Sequence, residues 1–272
     1  EQVKEVLAGQ GADEPHGGYV RHQAAAALRQ LRFAPSTIAG PAGAATRLLP
    51  RARSARRVAH VLGGKGDAGR LLRLVEMSDS PVRSSLTGGV GEQAEAERLR
   101  TAEGVLADVA GRDLLEQALY LDTRMFLPDG ILLCNDKMSM AASLELRVPF
   151  LDVELMRFVE RIPASMRVRP RAGKRLHRRA MEQLLPAEIT ARPKHGFSTP
   201  YDSWLRSAMG EEVERRYAPG TTMGELLEPS AVARLVDEHR RGRANHKSVL
   251  YCLLELSEWH SVFVEGRVPV AL

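Results

Sequence analysis

Residues Leu7–Tyr19 read LAGQGADEPHGGY, and the six residues Val3–Ala8, VKEVLA, lead into them. A short apolar run stopped by Gly9 and Gly11 predicts a buried strand ending in a tight loop. Beyond it lie paired acids, Asp13 and Glu14, and a Gly17-Gly18 turn ahead of an Ala-rich helical stretch. In open α/β sheets a loop at a strand's carboxyl end, opening toward a helix, is where nucleotides bind, because glycines let backbone amides approach a phosphate. An acid at that place can hold Mg²⁺, which uses one or two carboxylates and leaves its other positions to water and substrate. Asp13 can equally cap the turn with both acids facing water, and the stretch alone leaves both readings open.

Outward from this strand almost everything reads helical. His22–Leu31 carries apolar residues at helical spacing, and Phe33–Thr46 is a Pro/Gly-punctuated break. Val58–Glu76 contains Gly63, Gly64 and Gly66, which confine its helix to the far side. Asp79–Gly91 reads as a loop, and Glu92–Gly104 and Val105–Phe126 as helices with a break near Gly111. Ser248–Val264 places Val249, Leu253, Leu256, Trp259 or His260, and Phe263 on one helical face. The predicted class is mainly α with a minor β part. Parallel sheets need several strands covered by helices, so one strand among many helices reads as the back part of something larger.

Composition narrows the function. The 272 residues are 44% hydrophobic and 27% charged, ordinary for a globular chain and unlike a disordered, collagen-like or membrane protein. No stretch approaches the ~20 apolar residues that span a bilayer. Glu1–Glu5 is charged and does not read as a secretory leader. Cys134 and Cys252 each sit in an apolar context that suits a buried thiol better than a disulfide or metal cluster, which fits a cytoplasmic location. The net charge is +5 and the pI near 9.5. The Arg-rich stretches Arg47–Arg57 and Met166–Arg179 interleave no aromatics, so they read as solvated surface, and neither nucleic acid nor a membrane is expected as a partner.

Two further stretches carry chemistry. In Phe126–Leu155, FLPDGILLCNDKMSMAASLELRVPFLDVEL, Asn135 or Asp136 can cap a helix running to about Leu144, and Val148-Pro149 forces extended backbone at its exit. Met138, Ala142 and Glu145 then share one face. A carboxylate there needs either a buried ion pair with Arg147 or a site to serve. In Gly173–Trp204, GKRLHRRAMEQLLPAEITARPKHGFSTPYDSW, Lys174 and Arg178 lie one helical turn apart, and RPKHGFSTP reads as an ordered loop presenting Lys194. A lysine can neutralise a phosphate or a developing oxyanion and can donate a proton, though singly it is most often a surface residue.

Taken in this order, the three stretches resemble the synthetase domain of the glutamine-dependent asparagine synthetase family. LAGQGADEPHGGY is similar to that family's GEGSDE loop, NDKMSMAASLELRVPFLD to its VDRxSMxxSLExRxPFLD stretch, and GK…LLP…RPKHGF to its GK…LP…RxKxGF segment. The resemblance runs through nearly all of 1–272, weakest across Phe33–Gly91, and LYCLLELSEW is similar to the family's terminal helix. It implies the C-terminal portion of an adenine-nucleotide α-hydrolase-like (PP-loop) α/β domain. It also implies ATP and Mg²⁺, adenylation of the aspartate side chain, and attack by ammonia from glutamine to give asparagine, AMP and pyrophosphate.

Carried over residue by residue, Asp13 is the Mg²⁺–pyrophosphate ligand and Lys194 stabilises charge at phosphorus or at the tetrahedral intermediate. Asp136, Glu145 and Arg147 line or brace the acceptor pocket, Lys174 and Arg178 stand on its phosphate or structural side, and Gly9 and Gly11 shape the loop. In the related β-lactam-forming synthetases the acid at the place of Glu145 partners a catalytic side chain of the first loop, so the resemblance makes Glu145 the candidate second member of a catalytic dyad. Adenylation needs metal, phosphate and carboxylate contacts within a few ångströms of one phosphorus, so Gln10, Asp13, Glu145 and Lys194 are expected to share one cleft.

Two departures stand out. The family's SGGxDS loop does not occur in these residues; the nearest look-alike, LTGGVG at Leu86–Gly91, lacks the Asp-Ser. No amino-terminal nucleophilic cysteine of a glutaminase occurs either, so the expectation is a fragment or one half of a split enzyme, completed by an N-terminal half in cis or trans, with a homodimer as a further option. Gln10 stands where the family has Glu, and an amide cannot accept a proton from attacking ammonium. That points to a variant acting on another carboxylate; a lactam-, peptide-cyclising or sugar-amidating synthetase is the second reading of the chain, and a non-catalytic binding or regulatory fragment the third.

Overall fold

The computed structural model describes residues 3–29, 60–76, 80–87, 90–192 and 199–267. The segment Phe33–Thr46 and Lys194 lie outside these. The chain divides into two units, residues 1–75 with 99–195, and residues 76–98 with 196–272.

In the first unit, β1 (Glu5–Leu7) pairs in parallel with β2 (Glu145–Arg147), in the register Glu5↔Glu145, Val6↔Leu146 and Leu7↔Arg147. The ladder is extended by Glu145 N–H to Lys4 O at 2.8 Å and Ala8 N–H to Arg147 O at 2.9 Å. Both strands are exposed, half-buried, exposed along their three residues. The expected strand is thus present but shorter than Val3–Ala8 and not buried. Its partner breaks the predicted helix to Leu144: the helix Leu133–Ala141 stops at Ala141, Ser143 turns at φ 56°, and Glu145 stands on a strand rather than on an apolar helix face.

The core of this unit lies under helices. Val20–Leu28, Gly66–Val75, the end of Val90–Leu106, and Leu114–Leu121 bury Ala25, Leu71, Ala102, Leu115 and Leu119 against one another. Gly111 turns at φ 80°, and Asp113 restarts the chain as a helix by accepting the N–H groups of Leu115 and Glu116, both at 3.0 Å. From Leu114 the chain stays helical to Ala141. Its middle, Asp122–Leu132, is a π-helix with Pro128 inside it. Neither Asn135 nor Asp136 is therefore a cap. Proline has no N–H to give to an i−4 carbonyl, so the wider winding gives up little there.

The second unit buries Leu205, Val213, Tyr217, Leu235, Val236 and Leu250, contributed by the helices Tyr201–Leu205, Ala208–Arg216, Pro229–Arg240 and Lys247–Phe263. The Tyr217 hydroxyl donates to Leu253 O at 2.9 Å. Lys247–Phe263 buries Val249, Leu250, Leu253 and Ser257, while Leu256, Trp259 and Phe263 of the predicted stripe are exposed. Two more expectations change: Ser80–Thr87 is a helix, not a loop, and Cys134 and Cys252 are both exposed. Among the described residues no helix is long and apolar enough to cross a membrane.

Candidate functional site

The chain after β1 folds down rather than out. Residues 11–18 are buried except Asp13, so Gln10, Asp13 and Tyr19 are the partly exposed side chains of this turn. Two left-handed glycines make the burial possible. Gly11 at φ 81° lies against the Leu151 side chain, and Gly17 at φ 72° against Val168, with no room for a Cβ at either. The turn is closed by Gly18 N–H to Asp13 O at 2.7 Å.

A second loop holds this one. Lys174 Nζ meets Asp13 Oδ1 at 2.9 Å, and Lys174 N–H donates to His16 O at 3.2 Å. To do so Lys174 adopts φ 51°, a left-handed backbone that a lysine takes only where its surroundings hold it. Gly18 leaves the space that the Asp13 carboxylate and the Lys174 side chain fill. Arg167, buried although it falls in a stretch read as solvated surface, donates from Nη1 to Pro15 O at 2.6 Å. Burial lowers its pKa, with Glu116 the largest opposing influence. His16 packs on His177 at 5.1 Å between ring centroids, and burial pushes its pKa down to about 4, helped by His177, Arg167 and Lys174.

Behind Asp13 runs a buried polar network. Tyr19 O–H donates to Glu14 Oε1 at 2.5 Å, with Glu14 only 1% exposed. The Arg21 guanidinium lies 4.0 Å from the Tyr19 ring centroid and 4.6 Å from that of Phe126, and its Nε donates to Asp122 Oδ2 at 2.6 Å. His22 Nε2 shares the same oxygen at 2.5 Å. The Tyr19 hydroxyl is held far above its ordinary pKa by burial first and then by Glu14. Sequence reasoning singled out Glu14 as one of the paired acids and missed Arg21, His22 and Asp122. The part-buried Arg21–Asp122 pair joins positions 101 apart, and no local pattern announces it.

The other expected site residues fall elsewhere in the first unit. Asp136 and Glu145 line one open pocket of about 840 Å³ with Val3, Lys4, Met140, Ala142 and Ser143. It lies at the amino ends of β1 and β2, whereas the Asp13 loop leaves the carboxyl end of β1. Glu145 Oε1 pairs with Arg147 Nη2 at 3.0 Å, and Arg147 Nε lies 3.6 Å from Glu5 Oε2, all three half-exposed. The pair thus forms, but on a surface rather than buried. Arg178 turns away from the Asp13 loop and donates to Thr190 O at 3.3 Å and Arg192 O at 2.9 Å.

A phosphate-borne cation suits this donor set better than a protein cage does. Among the described residues no three His, Cys, Asp or Glu gather to hold a metal. Asp13 offers one reachable carboxylate, and Mg²⁺ commonly accepts that when phosphate and water supply its remaining ligands.

A parallel strand pair whose carboxyl end opens into a glycine-shaped acidic loop, braced by helices, has the placement at which open α/β sheets bind ligands. The sequence model described as asparagine synthase matches residues 1–261, and the chain belongs to the asparagine synthase family, whose domain has the PP-loop fold. It is 34% identical over 268 residues to proteins of Mycobacterium bovis and Mycobacterium tuberculosis named putative asparagine synthetase (glutamine-hydrolyzing), covering 98% of this chain and 40% of theirs. It is 27% identical over 278 residues to asparagine synthetase (glutamine-hydrolyzing) 1 of Bacillus subtilis, covering 97% of this chain and 41% of that one. The chain thus spans about two fifths of the length of these relatives. No solved structure matches it significantly.

Proposed function

We propose that this chain carries part of the synthetase centre of an asparagine synthetase: ATP-dependent adenylation of the aspartate side chain, then amide formation with ammonia derived from glutamine. The family match over residues 1–261 supports the reaction class, and the ion-paired Asp13 loop at the end of β1 supports its location. Mg²⁺, when bound, would neutralise the departing pyrophosphate. Asp13 is its ligand on this reading. Lys174 holds that carboxylate in place beforehand and stays near enough to meet a phosphate oxygen. Lys194 neutralises charge developing at phosphorus, and Gln10 hydrogen-bonds the acyl-adenylate as donor and acceptor. Asp136, Glu145 and Arg147 shape the acceptor side. Gly9 and Gly11 give the loop its form, and Arg178 braces the stem that leads toward Lys194.

Aspartate, ATP and ammonia are supplied to the enzyme assembled with the part that brings an SGGxDS loop, and products are followed by NMR and chromatography. Asparagine and AMP in equal amounts are expected. ADP in place of AMP overturns adenylation. Gln10 favours a second reading, in which the acceptor is another carboxylate. AMP release that aspartate does not stimulate, but a different carboxylate does, selects it.

A further inference from the structure

We propose that Tyr19 and Asp122 are the two ends of one positioning unit that fixes the Asp13–Glu14 turn, so that presentation of Asp13 depends on a residue at the head of the π-helix. The proposal rests on the reading of Asp13 as the metal–pyrophosphate ligand.

Three couplings in series carry it. Glu14 is the neighbour of Asp13 and is almost wholly buried, an expensive place for a carboxylate unless a strong partner fixes it. Its Oε1 accepts the short Tyr19 hydrogen bond, and its Oε2 is buried with no hydrogen-bond partner among the described residues. Rotation of the Glu14 carboxylate therefore exchanges a strong bond for none, and the turn is held through Tyr19. The Tyr19 ring is itself pinned. The Arg21 guanidinium carbon lies over it at 4.0 Å from its centroid, Phe126 meets it edge-on at 5.8 Å between centroids, and His22 lies 5.4 Å away. Arg21 is in turn tied to Asp122, whose Oδ2 also holds His22. Moving Asp122 frees Arg21, which unstacks Tyr19, which loosens Glu14. A purely space-filling role would be met by apolar side chains, whereas this series uses two buried carboxylates to join the loop to the first residue of Asp122–Leu132.

The test uses the chain assembled with the part that brings an SGGxDS loop, with magnesium and inorganic pyrophosphate titrated by calorimetry and with amide exchange read by NMR. Tyr19→Phe keeps the ring and the Arg21 stack and removes only the hydroxyl. Its affinity should fall by about tenfold or more, the worth of a hydrogen bond to a charged group. The amides of Gly17 and Gly18 should exchange faster while the far-UV spectrum is unchanged. Glu14→Gln leaves a neutral acceptor for Tyr19 and should weaken binding in the same direction, by less than Tyr19→Phe does. Asp122→Asn should weaken binding in the same direction, and the double variant Tyr19→Phe/Asp122→Asn should lose less than the two singles combined, as expected of one unit.

Parental affinity and parental amide exchange in Tyr19→Phe overturn the proposal, as does full additivity in the double variant. If Tyr19→Phe does not fold, Asp122→Asn carries the same comparison. Asp13→Asn is measured alongside. If it binds as tightly as the parent, or if the parent does not bind, the reading of Asp13 fails and the proposal fails with it. If Asp13→Asn weakens binding and Tyr19→Phe does not, only the positioning unit fails.

Discussion

His16 is buried with a ring nitrogen, Nδ1, that finds no hydrogen-bond partner among the described residues, so it stays neutral in the folded chain. Its pKa lies at about 4 against an ordinary 6.5. Between those values the unfolded chain binds a proton that the folded chain refuses. The stability is therefore fully present above pH 6.5 and is lost as pH falls toward 4, by about 3 kcal/mol at most. His16→Phe keeps a ring against His177 and Phe150 and removes the titration. Melting curves from pH 7.5 to 4.5 should fall less steeply for the variant than for the parent. Glu145 gives the contrasting case. Its pair with Arg147 is half-exposed, and such pairs contribute roughly 0–1 kcal/mol. Glu145→Gln should melt within a degree or two of the parent, about the shift such an energy produces. A loss of turnover in the assembled enzyme would then belong to chemistry rather than to folding.

Among the elements, Leu114–Leu121 is the one on which the first core turns, because Leu115, Ala118 and Leu119 are all buried from it. Its start depends on Asp113. Asp113→Ala should cost about 1 kcal/mol in denaturant unfolding and Asp113→Asn close to nothing, since both capping bonds need only an acceptor oxygen. That helix was legible in the sequence from Gly111 and the apolar spacing beyond it. The strand Glu145–Arg147 was not: ELR has no apolar run, and its pairing comes from β1, far away in sequence. Asp122–Leu132 was hidden for a related reason, since helical periodicity does not distinguish α from π winding over so short a span. The Asp13 loop announced itself through Gly11, Gly17 and the paired acids, whereas the Lys174 contact that holds it was visible only as a motif. Arg21, His22 and Asp122 carried no signal, because buried polar networks are defined by tertiary neighbours.

At the scale of the whole molecule the parallel sheet among the described residues is two strands of three residues, below the size at which a sheet is stable by itself, and the loop after β1 pairs the carboxylate of Asp13 with the ammonium of Lys174. Adenylation asks for more. The β- and γ-phosphates carry several charges that must be met together, and backbone amides of a glycine-rich loop are the usual way to meet them. LTGGVG at Leu86–Gly91 lacks the Asp-Ser of the family's loop, and its first two residues, Leu86 and Thr87, end the helix Ser80–Thr87. The 272-residue chain, mixed with ATP, magnesium, aspartate and labelled pyrophosphate, should therefore exchange no label into ATP. Exchange should appear when the part carrying an SGGxDS loop is joined to it or added in trans, and should fall again in Asp13→Asn. Exchange by the chain alone would mean that these residues already contain a phosphate cradle. Reconstituted exchange that is indifferent to Asp13→Asn would move the metal ligand away from this loop.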